Sequence, residues 1–234
     1  HVRSRRQRQM CIRDRFKALL FLGAGCIIHA VHSNEMSAMG GLRRYMPVTH
    51  ATFLIACLAI AGIWPLSGFF SKDEILTACF AFSPVMGWVM TGIAGLTAFY
   101  MFRLYYNIFW GRENRELHAA HRPHEAPLTM TLPLLFLSAV TCVAGFIPFG
   151  KLVSSDGTAY AIHIDRGVAG VSLCVAAAAI ALATWMYLRE RQTVADALAT
   201  RFRGLHKAAY HRFYIDEVYQ FVTHRVIFAC ISAP

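Results

Sequence analysis

Apolar residues fill this chain in blocks, most of them separated by short charged stretches. The blocks cover residues 16–30, 48–82, 83–110, 128–149 and 167–188. Those at 128–149 and 167–188 contain no charged residue and are longer than a buried soluble helix needs, so they predict membrane-spanning helices. The block at 48–82 is too long for one crossing. As a straight helix it would reach roughly 50 Å, against a hydrocarbon core of about 30 Å. Pro65 removes a backbone donor and Gly68 loosens the chain. The pattern therefore predicts a helix from about Val48 to near Trp64 and a second from near Asp73, with Lys72 in the unwound stretch between.

Lys72, Asp73 and Glu74 are the full charges of that block. Each costs about 2.5–3.5 kcal/mol at the centre of a membrane helix, whereas a Leu or Ile returns about 0.3–0.6 kcal/mol. Such groups persist at depth in a protein interior or a wet cavity, where they commonly serve transport. The bland alternative is ordinary charge at the membrane surface. Residues 16–30 form a first span that is short for a crossing, the end of a longer helix, with Lys17 at its start. Lys17 is either a snorkelling interfacial lysine or an intramembrane proton carrier.

Composition agrees with an all-α polytopic membrane protein of about five transmembrane helices, one of them interrupted between Pro65 and Asp73. Hydrophobic residues make up 56% of the chain and charged ones 15%. The net charge of +10 raises the question of nucleic acid. Its basic residues lie between the apolar blocks rather than on one face, which fits lipid and topology and not a nucleic-acid partner. Seven cysteines are scattered without a Cys-x-x-Cys pair, so they read as small hydrophobes rather than iron–sulfur or zinc ligands. His118, His121 and His124 are spaced by three, but Pro123 and neighbouring charges make a solvated loop the better description than a metal site.

Residues 1–15 hold six arginines, match no secretory signal, and read as a disordered or non-native basic tail. Residues 16–190 form the membrane domain. Residues 191–234 are a basic connector leading into a short apolar or amphipathic helix from Phe213. Arg103 lies among Tyr100, Tyr105 and Tyr106, which suit an interfacial aromatic belt in which the arginine snorkels. Alternating the loops places Arg43, Arg44, Arg112, Arg115, Arg122, Arg189 and Arg191 on one side, which the positive-inside rule makes cytoplasmic.

Several stretches resemble one family. Phe16-Lys17-Ala18-Leu19-Leu20-Phe21-Leu22-Gly23, Ile28-His29-Ala30, Met39-Gly40-Gly41-Leu42-Arg43 and Gly68-Phe69-Phe70-Ser71-Lys72-Asp73-Glu74-Ile75-Leu76 are similar to the antiporter-like subunit L, or chain 5, of respiratory complex I. Thr97-Ala98-Phe99-Tyr100-Met101-Phe102-Arg103, His124-Glu125-Ala126-Pro127-Leu128 and Phe213-Tyr214-Ile215-Asp216-Glu217 resemble it too, in the family's order from Phe16 onward.

The resemblance implies a fold of two inverted five-helix repeats, each with a broken helix, of which this chain would hold a C-terminal part. It implies a proton-translocating subunit of NADH:quinone oxidoreductase in a bacterial inner membrane, with other membrane subunits of complex I as partners, including neighbouring antiporter-like subunits. Lys17, Lys72 and Asp73 would belong to the proton path, with His29 as a relay candidate. Glu74 and Arg103 would support it. No cofactor is expected in this chain; NADH, FMN, iron–sulfur clusters and quinone would sit in partner subunits. Two alternatives stay open: the large subunit of a multisubunit cation/proton antiporter or a membrane-bound hydrogenase, and an inactive structural fragment.

Overall fold

The computed structural model describes residues 2–111, 123–146, 165–188, 200–210, 212–221 and 223, with residues 2–15 described by their backbone. Eight α-helices and no strand occur among them. The chain divides into two compact units, His1–Glu190 and Arg191–Pro234.

The first helix, α1 (Val2–Val31), begins fourteen residues before the apolar run. The disordered tail expected from composition is helical backbone instead. Arg and Gln are good helix formers, and extending an existing packed helix costs far less than nucleating one. After α1, two 3-10 turns at Met36–Ala38 and Leu42–Arg44 lead into α2 (Pro47–Ala61), with proline at its first position, where a missing N–H costs nothing.

Pro65 does not end α2. Gly62 adopts the left-handed conformation (φ 80°) and its N–H bonds Leu58 and Ala59 carbonyls, while Ile63 N bonds the Leu58 carbonyl at 3.1 Å. That glycine closure ends the helix three residues before the proline. α3 (Ser67–Phe82) restarts six residues before Asp73, so the unwound stretch is 62–66 and Lys72 lies within the second turn of α3. The expectation that Lys72 occupies unwound backbone is thereby corrected. Gly68 serves the break by closeness, because a Cβ there would lie 1.7 Å from the Ala59 carbonyl oxygen. The two half-helices touch backbone to backbone.

α4 (Pro84–Phe109) and α6 (Arg166–Tyr187) are long and apolar enough to cross a bilayer; the apolar part of α1, α2 and α5 (Leu128–Val143) are shorter. Asp165 caps α6 by accepting from Gly167 N at 2.9 Å. α2 packs against α1, α4 and α5, α3 packs against α4, and α4 packs along α6, where Gly95 meets Val175. Fully buried Phe53, Phe109, Leu19, Met46 and Leu134 fill the interior between them. Tyr105 and Tyr106 are buried rather than arrayed in an interfacial belt, since Tyr106 bonds Thr184 across the α4–α6 seam at 2.8 Å.

The architecture is that of an all-α polytopic membrane protein with one broken helix. In the second unit, α7 (Arg203–Tyr210) is followed by a 3-10 turn, Arg212–Tyr214, and α8 (Ile215–Phe221). Phe213 and Tyr214 have positive φ, so the helix expected from Phe213 begins two residues later. Its expected continuation to Ile231, the loop histidines His118 and His121, and most of the 150–166 connection lie outside the described residues.

Candidate functional site at the broken helix

Ending α2 at Ala61 leaves its last carbonyls without intrahelical partners. The Lys72 ammonium fills one of those vacancies. Its Nζ donates to the Ala61 carbonyl at 2.8 Å and to the Ala94 carbonyl of α4 at 3.3 Å. A cation at a helix C-terminus also meets the negative end of the helix dipole. Gly62 leaves room for the side chain, because a Cβ there would stand 2.8 Å from Lys72 Cδ. Lysine therefore ties the first half of the broken helix to α3 and α4 through backbone oxygens alone.

Lys72 lines a cavity of about 560 Å³ among α1, α2, α3 and α4. Lys17 lines the same cavity, together with the hydroxyl side chains Ser71, Thr97 and Tyr100. The two lysines, 55 positions apart in sequence, share one chamber. Lys17 is exposed and its ammonium has no hydrogen bond among the described residues.

Asp73 faces elsewhere. Successive residues on a helix do not share a face. Its side chain is 1% exposed and neither carboxylate oxygen has a hydrogen bond among the described residues. The charges that bear on it are Asp165 and Glu74, both acidic, and Lys72 is not among them. Lys72 and Asp73 are consequently neighbours in sequence but not a contacting pair. His29 is exposed near the far end of α1, about 18 Å along the helix from Lys17, where its ring lies 6.2 Å from His32 and 6.4 Å from His124. It does not line the lysine cavity. Glu74 is adjacent to Asp73 without lining the cavity either. Arg103 lies with its guanidinium 5.5 Å over the Tyr187 ring, a cation–π contact between α4 and α6.

Three polar contacts were not read from the sequence. Glu125 accepts from Val48 N at 2.8 Å and from Thr49 Oγ1 at 2.6 Å, capping the start of α2 from a segment 76 residues away. His50 shares a 2.6 Å hydrogen bond with the Tyr105 hydroxyl inside the α2–α4 contact. Arg43 lies 3.8 Å over the Trp110 ring, and Trp110 Nε1 donates to the same tyrosine at 3.5 Å. The one available signal was a lone acid, Glu125, beside the proline that starts an apolar helix. No metal-binding group of three or more His, Cys, Asp or Glu occurs among the described residues.

Comparison with known proteins adds the family. The model described as NADH:quinone oxidoreductase/Mrp antiporter, TM matches residues 8–97, a range holding Lys17, His29, Lys72 and Asp73 and beginning inside the basic tail rather than at Phe16. The chain is 38% identical over 245 residues to NAD(P)H-quinone oxidoreductase chain 5 of Picosynechococcus sp., covering 87% of this chain and 37% of that relative. It is 34% identical to the chloroplastic NAD(P)H-quinone oxidoreductase subunit 5 of Chlorokybus atmophyticus, over 87% of this chain and 35% of the relative. It is 47% identical to NADH-quinone oxidoreductase subunit L of Mycobacterium tuberculosis, over 61% of this chain and 22% of the relative. The chain thus spans little more than a third of the length of these relatives. A broken helix whose first half is capped by a lysine of the second, inside a helical membrane bundle, joins with these matches to one result: the chain belongs to the family of antiporter-like complex I subunits, chain 5 or subunit L of NAD(P)H-quinone oxidoreductase.

Proposed function

We propose that this chain carries part of a proton path through the membrane arm of an NADH:quinone oxidoreductase, with Lys72 and Lys17 as successive carriers. The observation that supports it is the shared cavity, which Lys72 lines from the second turn of α3 while its ammonium reaches the end of α2. An ammonium has three N–H donors, and the two carbonyl bonds leave a third for water in the cavity. A continuous helix would offer neither the free Ala61 carbonyl nor the space.

Burial penalises an ammonium, and hydrogen-bond acceptors or a nearby carboxylate favour it, so moving acceptors toward or away from Lys72 changes its hold on the proton. Asp73, next to Lys72 in sequence but turned about 100° from it around α3, is the acid that would bias that equilibrium when a rearrangement of the bundle brings its charge to bear on the ammonium. His29, at the distant end of α1, is assigned at most to exchange with the aqueous side. The redox chemistry, with NADH, FMN, iron–sulfur clusters and quinone, belongs in this proposal to partner subunits, alongside further antiporter-like subunits in the same bilayer. A bacterial inner membrane is the proposed location.

The test is Lys72→Met in the intact complex, reconstituted in vesicles, with protons translocated per NADH oxidised as the readout. Coupled translocation and turnover fall while reduction of the flavin and clusters by NADH persists. Full pumping stoichiometry in that variant would overturn the assignment. The names of the relatives support the oxidoreductase over an independent cation/proton antiporter, which the family model also includes.

A further inference from the structure

The hydroxyls that line the lysine cavity are not equivalent. Ser71 Oγ donates to the Gly68 carbonyl at 3.3 Å, and Thr97 Oγ1 donates to the Ile93 carbonyl at 2.8 Å. Each has committed its proton to its own helix and offers the cavity lone pairs alone. Tyr100 has no hydrogen bond among the described residues, so its phenol can both donate and accept. Tyr100 stands six residues beyond Ala94, the carbonyl that Lys72 holds, about 9 Å along α4. Tyr100 is half exposed and lines the cavity that Lys72 and Lys17 also line.

We propose that Tyr100 is the proton relay between Lys17 and Lys72, a role that rests on the proton-path reading above. The cavity is lined mainly by apolar side chains, and water in it would bond to the lysine, serine, threonine and tyrosine groups that line it. In the step, the Lys17 ammonium gives its proton to a water, a proton enters the lone pair of the phenol oxygen, and the phenol's own O–H proton passes to a water beside neutral Lys72, which becomes the ammonium. One proton moves, Lys17 ends as the amine, and the phenol is neutral before and after. Rotation of the C–O bond resets it. Ser71 and Thr97, whose protons are committed to the Gly68 and Ile93 carbonyls, take no part in the transfer.

The experiment uses the intact complex in vesicles and compares Tyr100→Phe, Thr97→Val, Ser71→Ala and Lys72→Met. Readouts are the amount of assembled complex, protons translocated per NADH oxidised, and the ratio of turnover in H2O and D2O. Tyr100→Phe keeps the ring and assembles normally. Its coupled turnover falls about three- to tenfold, less than the ~10²-fold of an irreplaceable acid–base group because water can stand in for the phenol. Its solvent isotope ratio changes, which loss of packing would not cause, and Thr97→Val and Ser71→Ala stay within about twofold on the same scale. If Tyr100→Phe lowers assembly, 3,5-difluorotyrosine at position 100 preserves shape and makes the phenol a stronger acid; a changed isotope ratio supports the relay. Parent rate and isotope ratio in Tyr100→Phe or the fluorinated protein, with Lys72→Met defective, overturns the relay and leaves the lysine path standing. Normal pumping by Lys72→Met overturns both.

Discussion

Glu125 and Lys72 hold a carboxylate and an ammonium at opposite ends of α2. The carboxylate takes Val48 N and Thr49 Oγ1 at the first turn, and the ammonium takes the Ala61 carbonyl at the last. Both signs match the helix dipole, positive at the N-terminus and negative at the C-terminus. Neither partner belongs to α2, so a helix of fifteen residues is fixed at each end by a different part of the bundle.

Glu125→Ala removes both bonds at the start of α2, and buried donors are left unsatisfied. A loss of about 1–3 kcal/mol is expected. It reads as a lower thermal transition of the assembled complex, with the solvent isotope ratio unchanged. Glu125→Gln keeps one acceptor and loses less.

Lys17 and Lys72 occupy one cavity, so their removal is not additive. The double variant Lys17→Ala with Lys72→Met pumps no worse than Lys72→Met alone. Rates that multiply, measured as protons per NADH, would place the lysines on separate routes.

Gly68→Ala puts a methyl 1.7 Å from a backbone oxygen that cannot move independently, and assembly is lost. Gly62→Ala is milder. Its Cβ meets the flexible Lys72 stem at 2.8 Å, and left-handed backbone costs about 1–2 kcal/mol for a residue with a side chain. The amount of complex in membranes, measured by native electrophoresis, ranks the two in that order.

Asp73→Asn preserves shape and removes a buried charge that has no hydrogen bond among the described residues. Assembly and thermal stability are kept or raised. Coupled translocation falls if Asp73 approaches Lys72 during the cycle. A variant that assembles and pumps as the parent excludes Asp73 from the path.

The alternation of apolar blocks and charges made the helices of the membrane domain legible, because hydrocarbon tolerates few other arrangements. The exact break was less so. Pro65 is the stronger breaker by type, yet Gly62 ends α2 first, and which of two nearby breakers acts depends on the side chain that must pass beside it, here Lys72. The lysine was legible by its cost at depth, but its partners are backbone carbonyls, which carry no residue signature. Tyr100, Tyr105 and Tyr106 look alike in sequence as belt residues. One lines the cavity and two are buried, since positions on a helix diverge in facing by 100° per residue. Glu125 was recognisable as part of a resemblance and not as a cap, because its partners lie 76 and 77 positions away.

The contact of Gly68 with Ala59 acts as a fulcrum. Two backbones in contact can turn about that point but cannot be pressed together or slide far. Ala61 is two residues from it, about 3 Å along the axis, whereas Val48 is about 16 Å away. A tilt of α2 by about 10° therefore carries the Glu125 end about 3 Å and the Ala61 carbonyl about 0.5 Å on the same helical rise. The lever arm is short at the lysine and long at the carboxylate. Swinging α2 leaves the stronger of the two lysine bonds intact, so it is displacement of α4, carrying Ala94, that loosens the grip on the ammonium.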